Sequence, residues 1–134
     1  MKKQPRGIRN NNPGNIRYKG IEWRGLAKPP SDGAFCVFIA PQFGIRALGK
    51  LIRNYYFYYG IRSIKGIINR FAPSSENNSI SYIQAVAKST GFDESEQLDL
   101  EDDDVVVALM RAIIRHENGK QPYSDEELRM GLKC

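Results

Sequence analysis

Apolar residues recur at helical spacing most clearly over residues 105–119, where Val106, Leu109, Met110, Ile113 and Ile114 fall on one face. Asp102 to Asp104 place negative charge where a helix start favours it, and Gly119 reads as the stop. A second helix is expected over 41–60. It opens with Pro41 as a first-turn proline, carries Ile45, Leu48, Leu51, Ile52, Tyr55 and Tyr59 at helical spacing, and stops at Gly60. Its Tyr-rich end, NYYFYYG, suits an exposed stacking platform or a packed stripe with ring bodies inside and hydroxyls at the rim. We expect the packed form. Ser63 caps a short helix with Ile64, Ile67, Ile68 and Phe71 on one face, ending before Pro73. A polar loop, SSENNS, leads into a helix over 80–90 that turns Ile83, Val86 and Ala87 inward and ends at Gly91. Ser124 and Glu127 form an S-x-x-E capping box for a last helix with Leu128 and Leu132.

Residues 1–34 follow none of these periods. NNNPGN, YKG and KPPSDG are turn signals, and short strands are expected over 15–18 and 33–39. The chain therefore reads as one domain over 1–134, mainly α with a small β component. A loop-and-strand lobe occupies 1–40 and a helical lobe 41–134.

Length and composition agree with a single core that needs no staples: 134 residues, 41% apolar and 26% charged. No run of 18 apolar residues occurs, so membrane insertion is not expected. The basic start lacks the apolar stretch of a secretory signal. Cys36 lies inside FCVF and Cys134 is the last residue. With no CxxC spacing and one histidine, we expect no metal and no cofactor, and reduced thiols. The acidic stretch 93–104 lacks the spacing and glycine of a calcium loop. Neither a phosphate-binding glycine loop nor a GxSxG elbow is present, and His116 has no nucleophile context for a triad.

Charge changes the picture more. Residues 1–70 carry 14 Lys or Arg against two acids, a balance of +12, and the remainder carries 6 against 13, a balance of −7. A basic face suits a polyanion such as a cell-wall polymer or nucleic acid, although two halves of opposite sign also attract each other on folding.

The candidate chemistry starts at Glu117. Four residues beyond Ile113 and three beyond Ile114, it continues the apolar stripe just before Gly119. Partial burial and the negative helix end both disfavour an ionised carboxylate, and a protonated one suits general acid catalysis at a glycosidic oxygen. The plainer alternative is that Glu117 swings to the solvated edge. Glu76, in the polar loop beside Asn77, is the other carboxylate free to point into a cleft, or else a first-turn charge of the following helix. In the first lobe, Asn11, Asn12 and Asn15 offer amides for sugar hydroxyl and N-acetyl groups, and Trp23 offers a ring to stack on a pyranose. The same stock would serve a nucleic-acid arm or a solvated turn cluster.

Several stretches together resemble the lysozyme-like superfamily of peptidoglycan-cleaving enzymes, of the phage virion and prophage type. MRAIIRHENG is similar to the acid-bearing helix end of phage lysozymes and lytic transglycosylases. NNPGNIRYKGIEWRGL with FCVFIAPQFGIRALGKLI resembles the sugar-cleft lobe of cell-wall glucosaminidases, and RFAPSSENNSISYIQAVAK their late cleft segment. In the usual members the acid-bearing helix precedes the cleft lobe. Here it follows, so the resemblance implies a circularly permuted order.

The resemblance implies a glycosidase acting on the β-1,4 bond between N-acetylmuramic acid and N-acetylglucosamine. Glu117 would be the acid, with Glu76 as any second catalytic carboxylate, Glu22 being less well placed. Asn77 and Tyr82 would hold the sugar, and Asn11, Asn12, Asn15 and Trp23 would line the groove. A lytic transglycosylase, in which one glutamate is acid and then base, is favoured over a hydrolysing muramidase. Glycan strands are the expected partner, with a virion or secretion apparatus for delivery, and nucleic acid is disfavoured. The protein would be made in the bacterial cytoplasm and act at the wall. The competing class is a non-catalytic module that binds virion components, wall or nucleic acid.

Overall fold

The computed structural model describes residues 3–73 and 78–134. Its described elements, in chain order, are α1 (Arg6–Arg9), β1 (Leu26–Ser31), β2 (Cys36–Phe38), α2 (Pro41–Tyr59), α3 (Ile64–Phe71), α4 (Asn78–Thr90), α5 (Asp103–Asn118) and α6 (Asp125–Lys133). The architecture is mainly helical with one small antiparallel sheet.

Helix α5 is central, packing against α1, α2, α4 and α6. Local chemistry sets its ends. The Asp102 carboxylate accepts from the Asp104 amide, Asp103 and Asp104 occupy the positive first turn, and Gly119 closes the helix at φ 75°. All five residues of the stripe are buried, together with Val107, Ala112 and Asn118. Sealing Ile113 and Ile114 fully from water contributes about 2 kcal/mol each by transfer alone. Helix α2 begins at Pro41 and α3 is capped by Ser63, whose hydroxyl accepts from the Gly66 amide. The capping box of α6 is complete in both directions.

Three expectations need correction. The Tyr-rich end of α2 is not core: Tyr55 is buried, but Phe57, Tyr58 and Tyr59 are exposed. The KPP segment is not a turn but part of β1, paired from Leu26↔Phe38 to Ser31↔Cys36 with an irregular register between. Pro29 and Pro30 have no amide N–H to give a ladder, which suits that irregularity. The expected first strand shrinks to a single bridge, Arg17↔Phe35, and the short α1 was not anticipated.

The first lobe is held by side chains more than by sheet. Asp32 accepts from the amides of Ala34 and Phe35 with one oxygen, and from Arg6 and Asn10 with the other, fastening α1 to the hairpin turn. The guanidinium groups of Arg6 and Arg17 lie over the Phe35 ring, 4.4 and 4.8 Å from its centroid. Ile16, Cys36 and Phe38 of this lobe join the helices in one core.

Candidate functional site

The last turn of α5 meets the asparagine-rich loop 10–15. Asn118 is buried and donates to its own helix carbonyl at Ile114, 2.9 Å, and to the Pro13 carbonyl, 2.8 Å. One side chain thus ties the last turn of the helix to the loop and gives the buried Pro13 carbonyl a donor. The loop turns twice through left-handed conformations at Asn11, φ 53°, and Asn15, φ 51°, which asparagine tolerates better than most residues. At the contact, Gly7 of α1 leaves no room for a side chain. A Cβ there would lie 2.5 Å from Asn118 Oδ1 and 2.8 Å from Asn15 Oδ1, two oxygens with no hydrogen-bond donor among the described residues.

Glu117 lies beside this junction, half-buried. Asn15 Nδ2 donates to its Oε1 at 2.9 Å, and the Tyr82 hydroxyl of α4 donates to its Oε2 at 2.9 Å. Burial and then the negative Glu117 push the Tyr82 hydroxyl well above the ordinary tyrosine range, so it remains a donor. Its ring stacks on His116, with centroids 3.8 Å apart at 26°. The carboxylate is therefore held from two sides, by Asn15 of the first lobe and Tyr82 of α4.

Glu117 borders a groove of about 580 Å³. The first lobe contributes Gly14 to Arg17, Lys19, Ile21, Trp23 and Phe35; α2 contributes Leu51 and Tyr55; the end of α3 and its exit contribute Arg70, Phe71, Ala72 and Pro73. Among the described residues that line it, Glu117 is the one acid and Arg17, Lys19 and Arg70 are the cations. A second depression of about 620 Å³ shares Lys19, Tyr55, Arg70 and Pro73 with the first.

The chain is 40% identical to Protein P5 of Pseudoalteromonas phage PM2 over 131 residues, covering 96% of this chain and 80% of that protein. It belongs to the Protein P5 family. No protein-family model matches the chain.

In this member of the Protein P5 family, the expected site residues divide. Glu117, Asn15 and Trp23 come together at the groove. Tyr82 touches Glu117 but is buried away from the groove lining, so its place is to hold the carboxylate rather than a sugar. Asn11 and Asn12 do not line the groove, which corrects the expectation for both. Asn11 donates to the Phe38 carbonyl, and Asn12 is fully buried, donating to the carbonyls of Ile16 and Cys36 and accepting from the Ile16 amide. Their amides are committed to backbone that would otherwise lack partners. Glu76 and Asn77 lie outside the described residues. Glu22 is exposed and lines neither depression.

Asn118 was missed, although a signal existed. The stripe reaches 118 from Ile114 by four residues as directly as it reaches 117 from Ile113. Gly7, Lys19 and Arg70 gave no sequence signal, because each matters only through partners distant in the chain. Among the described residues, no group of three or more His, Cys, Asp or Glu side chains is placed to hold a metal ion, and no helix is long and apolar enough to cross a membrane.

Proposed function

We propose that this chain is a peptidoglycan glycosidase of lysozyme-like, circularly permuted organisation, cleaving the β-1,4 bond between N-acetylmuramic acid and N-acetylglucosamine. The observation that carries this reading is one carboxylate at the edge of a groove, held by Asn15 and Tyr82. A carboxyl oxygen has two lone pairs, so each Glu117 oxygen keeps one position free after accepting its bond. The proton delivered to the glycosidic oxygen occupies such a position. As the bond from the anomeric carbon to that oxygen breaks, the Glu117 proton passes to the departing sugar hydroxyl.

The transglycosylase route then uses the same group twice. The primary hydroxyl of the muramic acid attacks its own anomeric carbon and gives its proton to the Glu117 carboxylate, leaving an anhydro sugar and a reset acid. Hydrolysis with water requires a second carboxylate whose distance from the first sets the stereochemistry. Among the described groove residues Glu117 stands without such a partner, which favours the one-carboxylate route. Trp23 offers an aromatic body for a sugar face. Family membership with a phage protein fits delivery to the wall as part of a virion or lysis apparatus.

The alternative is a non-catalytic binding module, supported by the three cations that line the same groove. Glu117→Gln separates the two. In the glycosidase, lysis of purified walls disappears while sedimentation with the wall persists. In a binding module the substitution changes neither, and nucleic-acid affinity falls steeply with salt.

A further inference from the structure

The second depression has a character of its own. Lys19 and Arg70 line it with Asn69 and Tyr55, and among the described residues no acid does. Neither cation takes part in any of the ion pairs between described residues. The Arg70 guanidinium is nonetheless fixed in place, stacked 3.8 Å from the Tyr59 ring centroid with the Tyr55 ring 5.8 Å away. Such stacking keeps the planar donor fork oriented without neutralising its charge, the state in which it best receives a carboxylate. The depression joins the Glu117 groove through Lys19, Tyr55, Arg70 and Pro73, so one ligand can occupy both.

We propose that this side compartment binds a carboxylate of the peptide stem carried by the glycan, so that the site selects peptide-substituted strands over bare ones. The inference rests on the reading of the Glu117 groove as a glycan cleft. The depression, largely open to solvent and about 620 Å³, has room for a short peptide and not only for a lone carboxylate.

The test uses the full chain carrying Glu117→Gln, which prevents turnover, and two soluble glycan probes. One bears peptide stems; the other has been stripped of them by amidase and keeps only the lactyl carboxylate. Titration calorimetry is expected to show the stem-bearing glycan binding on the order of tenfold more tightly at low salt. Adding Arg70→Gln and Lys19→Gln, both at exposed positions, should bring the two affinities together, while Arg70→Lys should retain part of the preference. Equal affinity for the two probes in the parent, or a preference that survives the double substitution, would overturn the proposal. Cleavage by the unsubstituted chain is scored separately. Stem-dependent binding without any cleavage supports the compartment and overturns the glycosidase reading alone. Cleavage with no stem preference does the reverse.

Discussion

Two helices of this protein end in the same way and lead to opposite surfaces. Helices α2 and α5 both stop at a left-handed glycine, Gly60 at φ 68° and Gly119 at φ 75°. Yet the apolar end of α2 stands in water, with Phe57 and Tyr58 exposed at 59% and 76%, whereas at the end of α5 the polar Asn118 is buried, at 9%, and Glu117 is half-buried. Hydrophobicity of the last turn does not decide which is covered. What decides is whether another part of the chain arrives to cover it. The loop 10–15 reaches α5 and binds it through Asn118 and Glu117. At the end of α2, the Arg70 guanidinium lies over Tyr59. The enclosed end is where the proposed chemistry resides.

The largest expected effect bears on that enclosed end. Glu117→Gln should lower wall-cleaving activity by at least about 100-fold, measured as turbidity loss of purified walls. It should leave the melting temperature nearly unchanged, because the new amide can accept from Asn15 and donate to the Tyr82 hydroxyl. Gly7→Ala comes next. Its methyl would press on two amide oxygens whose side chains are already fixed by hydrogen bonds, costing about 1–3 kcal/mol in urea unfolding. It should lower activity as well, by displacing Asn15 from Glu117. At the other helix end, where an added Cβ on Gly60 would meet nothing within 4 Å among the described residues, Gly60→Ala should cost only its backbone penalty of about 1 kcal/mol and spare activity.

Tyr82→Phe removes one of the two donors to Glu117, and roughly tenfold lower activity with a small stability change is expected. A smaller effect follows from Asp32, whose carboxyl is held well below the usual carboxylate range, first by the Arg6 guanidinium and then by the Phe35 amide. A lowered value means that the stabilisation is complete above about pH 4 and fades as pH falls further. The melting temperatures of the parent and Asp32→Asn should therefore converge under acid conditions. The smallest effect is at the exposed end of α2: Tyr58→Ser should change stability by no more than about 0.5 kcal/mol.

The same comparison explains what could be read from the residues alone. Helices α2, α3, α5 and α6 announce themselves because their signals are local: Pro41, the Ser63 cap, the stripe ending at Gly119, and the Ser124–Glu127 box. Strand β1 hides behind Pro29 and Pro30, which imitate a turn, and α1 is too short to show a period. At the site, Glu117 was legible because it extends its own helix's apolar stripe. The asparagines were legible as a cluster but not in their separate tasks. Asn11 and Asn12 complete the backbone of the first lobe, whereas Asn15 reaches a residue 102 positions away. Burial of Tyr55 and exposure of Tyr58 likewise depend on packing partners that helical spacing does not contain.

At the centre of this account is one side chain, Glu117, supplying a proton to a glycan bond. The direct measurement is mass analysis of purified peptidoglycan after digestion, with the parent chain and with Glu117→Gln. Muropeptides ending in anhydromuramic acid are expected from the parent and none from the variant. No released muropeptides from the parent, or the same products from both, would contradict it.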